Sequence, residues 1–148
     1  MSTRVGQEVD RVVFDVEAGK IREFARATYS TDPVHTDPVA ARAAGFDQIP
    51  ATATHVVVAG HYRDQRAFVE QLGLDLARIV VGSVSWHYER PLQAGDAVSG
   101  IRTVLSDEVR DGRRGGAMRM ITLETAYRGP DDEVAVRVRE VLIERGGA

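Results

Sequence analysis

Residues 29–46 hold the densest set of side chains that could do chemistry. His35 lies between Asp32 and Asp37, and each aspartate is followed by a proline. A neutral imidazole accepts a proton near pH 7, so His35 is a candidate general base. Taken alone, His35 fits a solvated loop residue better. Asp32 is typical of a turn, and Asp37 of a helix N-cap followed by a proline in the first helical position.

The order of these residues resembles the active-site loop of the MaoC-like, hot-dog-fold enoyl hydratases and 3-hydroxyacyl dehydratases. Those proteins carry the motif Asp-x-Asn-Pro-x-His-x-Asp, and Pro33, His35 and Asp37 match it. Two positions depart from the motif: Asp32 stands where the family has Asn, and Ser30 stands where it has the catalytic Asp.

Two further segments extend the resemblance over most of the chain. Residues 85–96 form a strand candidate that ends in Pro-Leu-x-x-Gly-Asp, and Gly6-Gln7-Glu8 near the start also fits. The chain is most similar to the N-terminal, fatty-acid-synthase-like dehydratase subgroup. This resemblance implies an α+β fold, a single hot-dog domain over residues 1–148, with a curved antiparallel sheet wrapped around a central apolar helix.

The resemblance implies a lyase that interconverts a trans-2-enoyl thioester and a 3-hydroxyacyl thioester, carried by CoA or by acyl-carrier protein. His35 would be the base, assisted by Asp32 or by a water that Ser30 holds. A serine hydroxyl rarely ionises near neutral pH, so catalysis falls by roughly 10²- to 10⁴-fold if Asp32 does not compensate.

The substrate's thioester oxygen gains charge during the reaction, and the amides at the start of a buried helix would stabilise it. The candidates are the backbone N–H groups near Thr52, Ala53 and Thr54. His55 lies on the same apolar segment, where we expect either a buried, hydrogen-bonded histidine or a residue that lines the acyl tunnel. We expect no cofactor and no metal, because the sequence has no phosphate loop, no Gly-x-Gly-x-x-Gly and no pair of ligands on one helix face.

Two other functions stay open. Some members of the subgroup are non-catalytic subunits that shape the acyl tunnel of a heterodimeric dehydratase, and Ser30 favours this alternative. A changed site also allows a different acyl-thioester or polyketide chemistry on the same fold, such as an isomerase, a cyclase or a thioesterase. In either case the resemblance implies a homodimer, or a heterodimer with a second hot-dog subunit, paired edge to edge.

The composition is that of an ordinary globular domain of 148 residues with 43% apolar and 28% charged residues. The net charge of -3 and the scattered basic residues do not favour nucleic-acid binding. The chain has no cysteine, which fits a cytoplasmic protein. Residues 1–8 show no apolar signal core, and no run approaches the ~20 apolar residues of a membrane helix.

The hydrophobic periodicity changes from helical in the first half to alternating in the second. A bulge is expected between Val138 and Val141, where the apolar phase of the last strand shifts. We predict helices over 18–28, 38–45, 49–60 and 62–72, and strands over 11–15, 80–88 (half-buried), 97–105, 119–127 and 134–143. The turn residues at 111–112 and 129–132 predict hairpin loops between the last three strands.

Overall fold

A five-stranded antiparallel sheet in the order β1-β3-β4-β5-β2 forms the framework of the computed structural model, which describes residues 4–146. The ends of the predicted domain, residues 1–3 and 147–148, lie outside the described residues. The strands are β1 (Glu8–Asp15), β2 (Ile79–Tyr88), β3 (Ala97–Asp111), β4 (Ala117–Arg128) and β5 (Val134–Glu144). The predicted strands and both hairpins are confirmed, and each strand extends beyond its predicted bounds at one end or both.

Three α-helices and three 3₁₀ helices connect the first two strands. The α-helices are α1 (Ala18–Ala27), α2 (Pro38–Ala43) and α3 (Gln65–Gln71), and the 3₁₀ helices are Pro33–His35, His55–Tyr62 and Leu76–Arg78. Helix α2 begins as predicted, because Asp37 Oδ1 accepts a hydrogen bond from the Val39 N–H at 2.9 Å. After the helix, Gly45 adopts a φ of +93°, which glycine tolerates best.

The buried helix predicted over residues 49–60 is wrong in its limits and its type. Residues 49–52 are not helical: Pro50 forms a β-bridge with Gln93, and the Ala51 N–H donates to the Leu92 carbonyl at 2.7 Å. A 3₁₀ helix begins only at His55 and ends at Tyr62. Proline disfavours the α conformation of the residue before it, and the β-branched run that follows has low helix propensity. The predicted helix over 62–72 is likewise shorter and begins at Gln65.

The bulge predicted between Val138 and Val141 is also wrong. Strand β5 pairs without interruption through this stretch with both of its neighbours. Glu140 interrupts the apolar pattern because it faces the same side of the sheet as Val138, where its carboxylate lies 3.8 Å from the Arg102 guanidinium. A charged residue therefore takes an inward-facing position, and the alternation of side chains between the two faces continues without a shift.

Two clusters of buried side chains hold the helices against the sheet. The first packs α1 and the 55–62 segment on the strands through residues such as Ile21, Val58 and Val136. The second packs α3 on the other end of the sheet through Phe68 and Leu72. Among the described residues no helix is both long and apolar enough to cross a membrane.

Strand β2 is one of the two edges of the sheet and is more exposed than the half-buried strand that the alternation predicted. Within residues 4–146 it pairs with β5 alone. Trp86 lies opposite the buried Val138, so Val84 and Tyr88 share its inward-facing side of the sheet. Both are nevertheless 43% exposed, so the described residues leave that part of the inner face uncovered.

Candidate active site

A cavity of about 600 Å³ lies where five segments of the chain meet. These segments are the loop after α1, the turn after α2, the irregular stretch at 50–56, the end of β2 with the residues that follow it, and the start of β5. Apolar side chains such as Phe46, Val56, Leu92 and Val136 form much of its wall. A few polar groups in a mostly apolar concave site are typical of a small-molecule pocket.

His35 lines this cavity at the end of the 3₁₀ helix Pro33–His35 and is half-buried. Its Nδ1 lies 2.8 Å from the Pro50 carbonyl oxygen. A carbonyl oxygen only accepts hydrogen bonds, so Nδ1 carries the proton and donates it. The neutral ring therefore has its lone pair on Nε2, and this contact fixes both the tautomer and the ring orientation.

Asp32 also borders the cavity, but one of its oxygens already has a structural role. Asp32 Oδ1 accepts a hydrogen bond from the Val34 N–H at 3.1 Å and caps the 3₁₀ helix. The turn role that its position before a proline suggested is thus present in the structure. The carboxylate remains exposed, so its second oxygen faces water or a ligand.

Ser30 stands apart from the cavity, although it occupies the position of the family's catalytic Asp. It is not among the lining residues, and its backbone N–H donates to the Ala25 carbonyl at 2.8 Å. Tyr29 before it adopts a φ of +56°, the left-handed conformation that ends many helices. Ser30 therefore belongs to the C-terminal turn of α1.

Most of the segment expected to bind substrate lines the cavity. Thr52, Ala53 and His55 line it, whereas Thr54 is exposed and does not. The Tyr88 hydroxyl donates to the Ala53 carbonyl at 2.7 Å and so ties this segment to the end of β2.

His55 is buried, with 1% of its surface exposed, but the hydrogen bond expected for it is missing. Neither ring nitrogen has a partner among the described residues. Its ring packs edge-on against Phe24, with the centroids 5.6 Å apart. Burial, helped by the charge of Lys20, lowers the pKa of His55 to about 4, so the ring is neutral at pH 7.

Sequence reasoning missed the residues at the end of β2 that complete the cavity wall. Besides Tyr88, these include Arg90, whose guanidinium pairs with Asp96 at 2.9 Å and with Glu133 at 2.5 Å. Asp96 also accepts from the Gln93 N–H at 3.1 Å and closes the turn. The Pro-Leu-x-x-Gly-Asp sequence was the signal that could have found this arrangement, because its last residue holds the arginine in place.

The fold and this cavity define a hot-dog dehydratase-type protein, and comparison with known proteins gives the same class. The chain belongs to the family described as "FAS1-like, dehydratase domain region", whose model matches residues 3–138. A UPF0336 protein of Saccharopolyspora erythraea is 35% identical over 137 residues, which cover 91% of this chain and 84% of that protein.

Two solved structures show the same fold. The C-terminally truncated HadBC (3R-hydroxyacyl-ACP dehydratase) complex from Mycobacterium tuberculosis superposes with a TM-score of 0.77 at 23% identity, over 96% of this chain and 98% of that chain. The (R)-hydratase from A. caviae involved in PHA biosynthesis gives a TM-score of 0.67 at 22% identity, over 96% and 97%. The α+β hot-dog fold and the MaoC-like resemblance are thereby confirmed.

Proposed function

We propose that this chain hydrates trans-2-enoyl thioesters, or dehydrates the corresponding 3-hydroxyacyl thioesters, with His35 as the general base. The observation that carries the proposal is the contact from His35 Nδ1 to the Pro50 carbonyl at 2.8 Å, because in the neutral ring it places the lone pair on Nε2, and the ring lines a mostly apolar cavity. Membership of a dehydratase family supports the same reaction. The carrier would be CoA or acyl-carrier protein.

In the hydration direction His35 Nε2 takes a proton from water while the water oxygen bonds to the β-carbon. The electrons of the C=C bond move toward the thioester oxygen, which becomes an enolate. The imidazolium then returns its proton to the α-carbon, so the net change is the addition of one water. Dehydration runs through the same steps in reverse.

Backbone amides of the 52–54 stretch are the proposed donors to the enolate oxygen. The N–H groups on either side are already used, since Ala51 donates to Leu92 and His55 donates to the Thr52 carbonyl. The contact between the Tyr88 hydroxyl and Ala53 would hold this stretch in one position. Fixed amide dipoles aimed at a developing charge are an effective way to stabilise it.

We propose Asp32, rather than Ser30, as the carboxylate that helps hold the attacking water. Asp32 borders the cavity, whereas Ser30 does not. One Asp32 oxygen is occupied with the Val34 N–H, so the assistance is weaker than that of a free carboxylate. We therefore expect a slow enzyme compared with family members that keep the full motif.

The loss of enoyl conjugation in a crotonyl-pantetheine thioester tests this proposal. The chain purified alone should hydrate the substrate, and His35→Ala should lower the rate by about 10²-fold or more while the protein stays folded. Thr36→Ala is the matched control, since Thr36 is exposed and not among the lining residues. Unchanged turnover in His35→Ala would refute the role of His35.

A second candidate function is a non-catalytic subunit that completes the acyl cavity of another hot-dog chain. Among the described residues the carboxylates that line the cavity are Asp32 and Glu89, and Glu89 Oε1 is paired with His87 at 2.9 Å. Neither is a free carboxylate beside His35. A well-behaved homodimer that turns over substrate alone would count strongly against this alternative.

For either function we propose that a second hot-dog chain pairs along strand β2. That strand has one free edge, and its inward-facing Val84 and Tyr88 are exposed. A free edge with exposed apolar side chains is a ready site for strand pairing. Analytical ultracentrifugation of the purified chain should show a dimer. A monomer would indicate that the second hot-dog chain is a different protein.

A further inference from the structure

The side-chain oxygen of Thr52 and the ring nitrogens of His55 are exceptional among the buried polar atoms of the described residues. Seven buried side-chain nitrogen or oxygen atoms have no hydrogen-bond partner there. Four of them belong to charged side chains that form ion pairs: Asp10, Arg63, Arg78 and Glu133. The other three are Thr52 Oγ1 and the two ring nitrogens of His55. These two side chains therefore have neither a hydrogen bond nor an ion pair.

Both exceptions lie on the wall of the proposed active-site cavity. The His55 N–H donates to the Thr52 carbonyl at 3.1 Å, which places the two residues on the same turn at the start of the 55–62 segment. Much of the remaining wall is apolar. Leaving buried donors and acceptors unpaired costs free energy, and such an arrangement is typical of a site whose partner arrives with the ligand.

The two residues offer a defined set of hydrogen-bonding groups. A neutral His55 has one ring N–H donor and one ring-nitrogen acceptor, and the Thr52 hydroxyl can donate or accept. A hydroxyl group satisfies a donor and an acceptor together, and a keto oxygen accepts from both side chains. A plain hydrocarbon chain satisfies neither and would keep these groups unpaired.

The degree of burial separates His55 from the reacting end of the site. His55 has 1% of its surface exposed, whereas His35 and Thr52 are half-buried. The carrier of a thioester has to stay outside the cavity, so the thioester lies toward the opening, near His35. The deeper His55 would then meet the acyl chain beyond the reacting carbons.

We propose that Thr52 and His55 bind an oxygen carried by the acyl chain, so that the favoured substrates are hydroxylated or keto acyl thioesters. This specificity rests on the proposed function, in which the cavity holds an acyl thioester. The same pair would disfavour plain alkyl chains, because a site built to hydrogen-bond an oxygen rejects the analogue that lacks it.

Calorimetric binding of saturated pantetheine thioesters tests the inference without requiring turnover. The probes are octanoyl-pantetheine and the series of hydroxy- and keto-octanoyl analogues that carry the oxygen beyond C3. The wild type should bind the best oxygenated isomer about tenfold or more tightly than octanoyl, a modest part of the discrimination that such sites reach. In His55→Leu and in Thr52→Val the ratio of the two affinities should fall toward one, because the oxygenated isomer binds more weakly.

The matched control is His61→Leu, which makes the same change as His55→Leu at an exposed residue of the 55–62 segment outside the cavity, and it should keep the preference. Equal binding of octanoyl and all oxygenated isomers by the wild type would overturn the specificity and leave the proposed function intact. An equal loss of affinity for plain and oxygenated chains in both variants would also overturn it, since the pair would then act on the thioester. Failure of the wild type to bind any acyl thioester would overturn the proposed function together with the inference.

Discussion

His55 should make the protein sensitive to mild acid, and replacing it should remove much of that sensitivity. Its ring is buried against Phe24 on α1, with the charge of Lys20 on the same helix and Thr52 on its own segment. Burial lowers the pKa of His55 to about 4, so the folded state keeps the ring neutral. An unfolded chain has the ordinary histidine pKa of about 6.5 and takes up a proton sooner.

The sign and size of the effect follow from this difference. Because the pKa is lower in the folded state, the full stability is present above about pH 6.5 and is lost as the pH falls toward about 4. Linkage between the two pKa values gives a loss of about 2 kcal/mol from pH 7.5 to pH 5, and about 3 kcal/mol when the titration is complete. Carboxylates that titrate in the same range act equally in wild type and variant, so the comparison isolates His55.

Urea unfolding of wild type and His55→Leu at pH 7.5 and pH 5 measures this difference. The free energy of unfolding of the wild type should fall by about 2 kcal/mol more than that of the variant. At pH 7.5 the variant should be at least as stable, because an apolar side chain replaces unpaired polar atoms. The control His61→Leu changes an exposed histidine of the same segment and should behave like the wild type. An equal acid loss in wild type and His55→Leu would refute the reasoning.

Three further changes have defined outcomes. Asp37→Ala removes the N-cap of α2 and should lower the unfolding free energy by about 1 kcal/mol in urea, and no change would show that the cap is dispensable. Ser30→Asp should leave the hydration rate unchanged, because the turn after α1 keeps position 30 outside the cavity, and a faster rate would show that the new carboxylate reaches the site. Tyr88→Phe frees the Ala53 carbonyl and should slow hydration by about two- to tenfold, the usual worth of one hydrogen bond, whereas an unaffected rate would separate this contact from catalysis.

Local chemistry explains which elements the sequence could predict. Asp37, Pro38 and Gly45 specify the start and end of α2 through capping and backbone preference, and the structure shows both. The hairpins follow from turn residues between alternating strands. The hot-dog arrangement itself came from the resemblance, since periodicity alone supports only an α+β domain.

The predictions that were wrong concern segments whose structure is decided by contacts with distant parts of the chain. Residues 49–52 pair with Gln93 and Leu92 through a β-bridge and a backbone hydrogen bond. Local helix propensity cannot predict these long-range contacts. The alternation in β2 predicts a buried face, but whether anything covers that face is decided by the rest of the molecule or by a second chain. Likewise, spacing identified His35 and His55, while the Pro50 contact and the missing partners of His55 become visible only in three dimensions.

The most direct test of the central claim is mass spectrometry of the product that the purified chain makes from a trans-2-enoyl pantetheine thioester in ¹⁸O-labelled water. The account predicts a 3-hydroxyacyl thioester that carries one labelled oxygen, formed by the wild type and by Thr36→Ala but not by His35→Ala. Free acid as the product would contradict it in favour of a thioesterase. Labelled product from His35→Ala at the wild-type rate would remove His35 from the chemistry, and bound but unchanged substrate in the wild type would indicate the non-catalytic subunit instead.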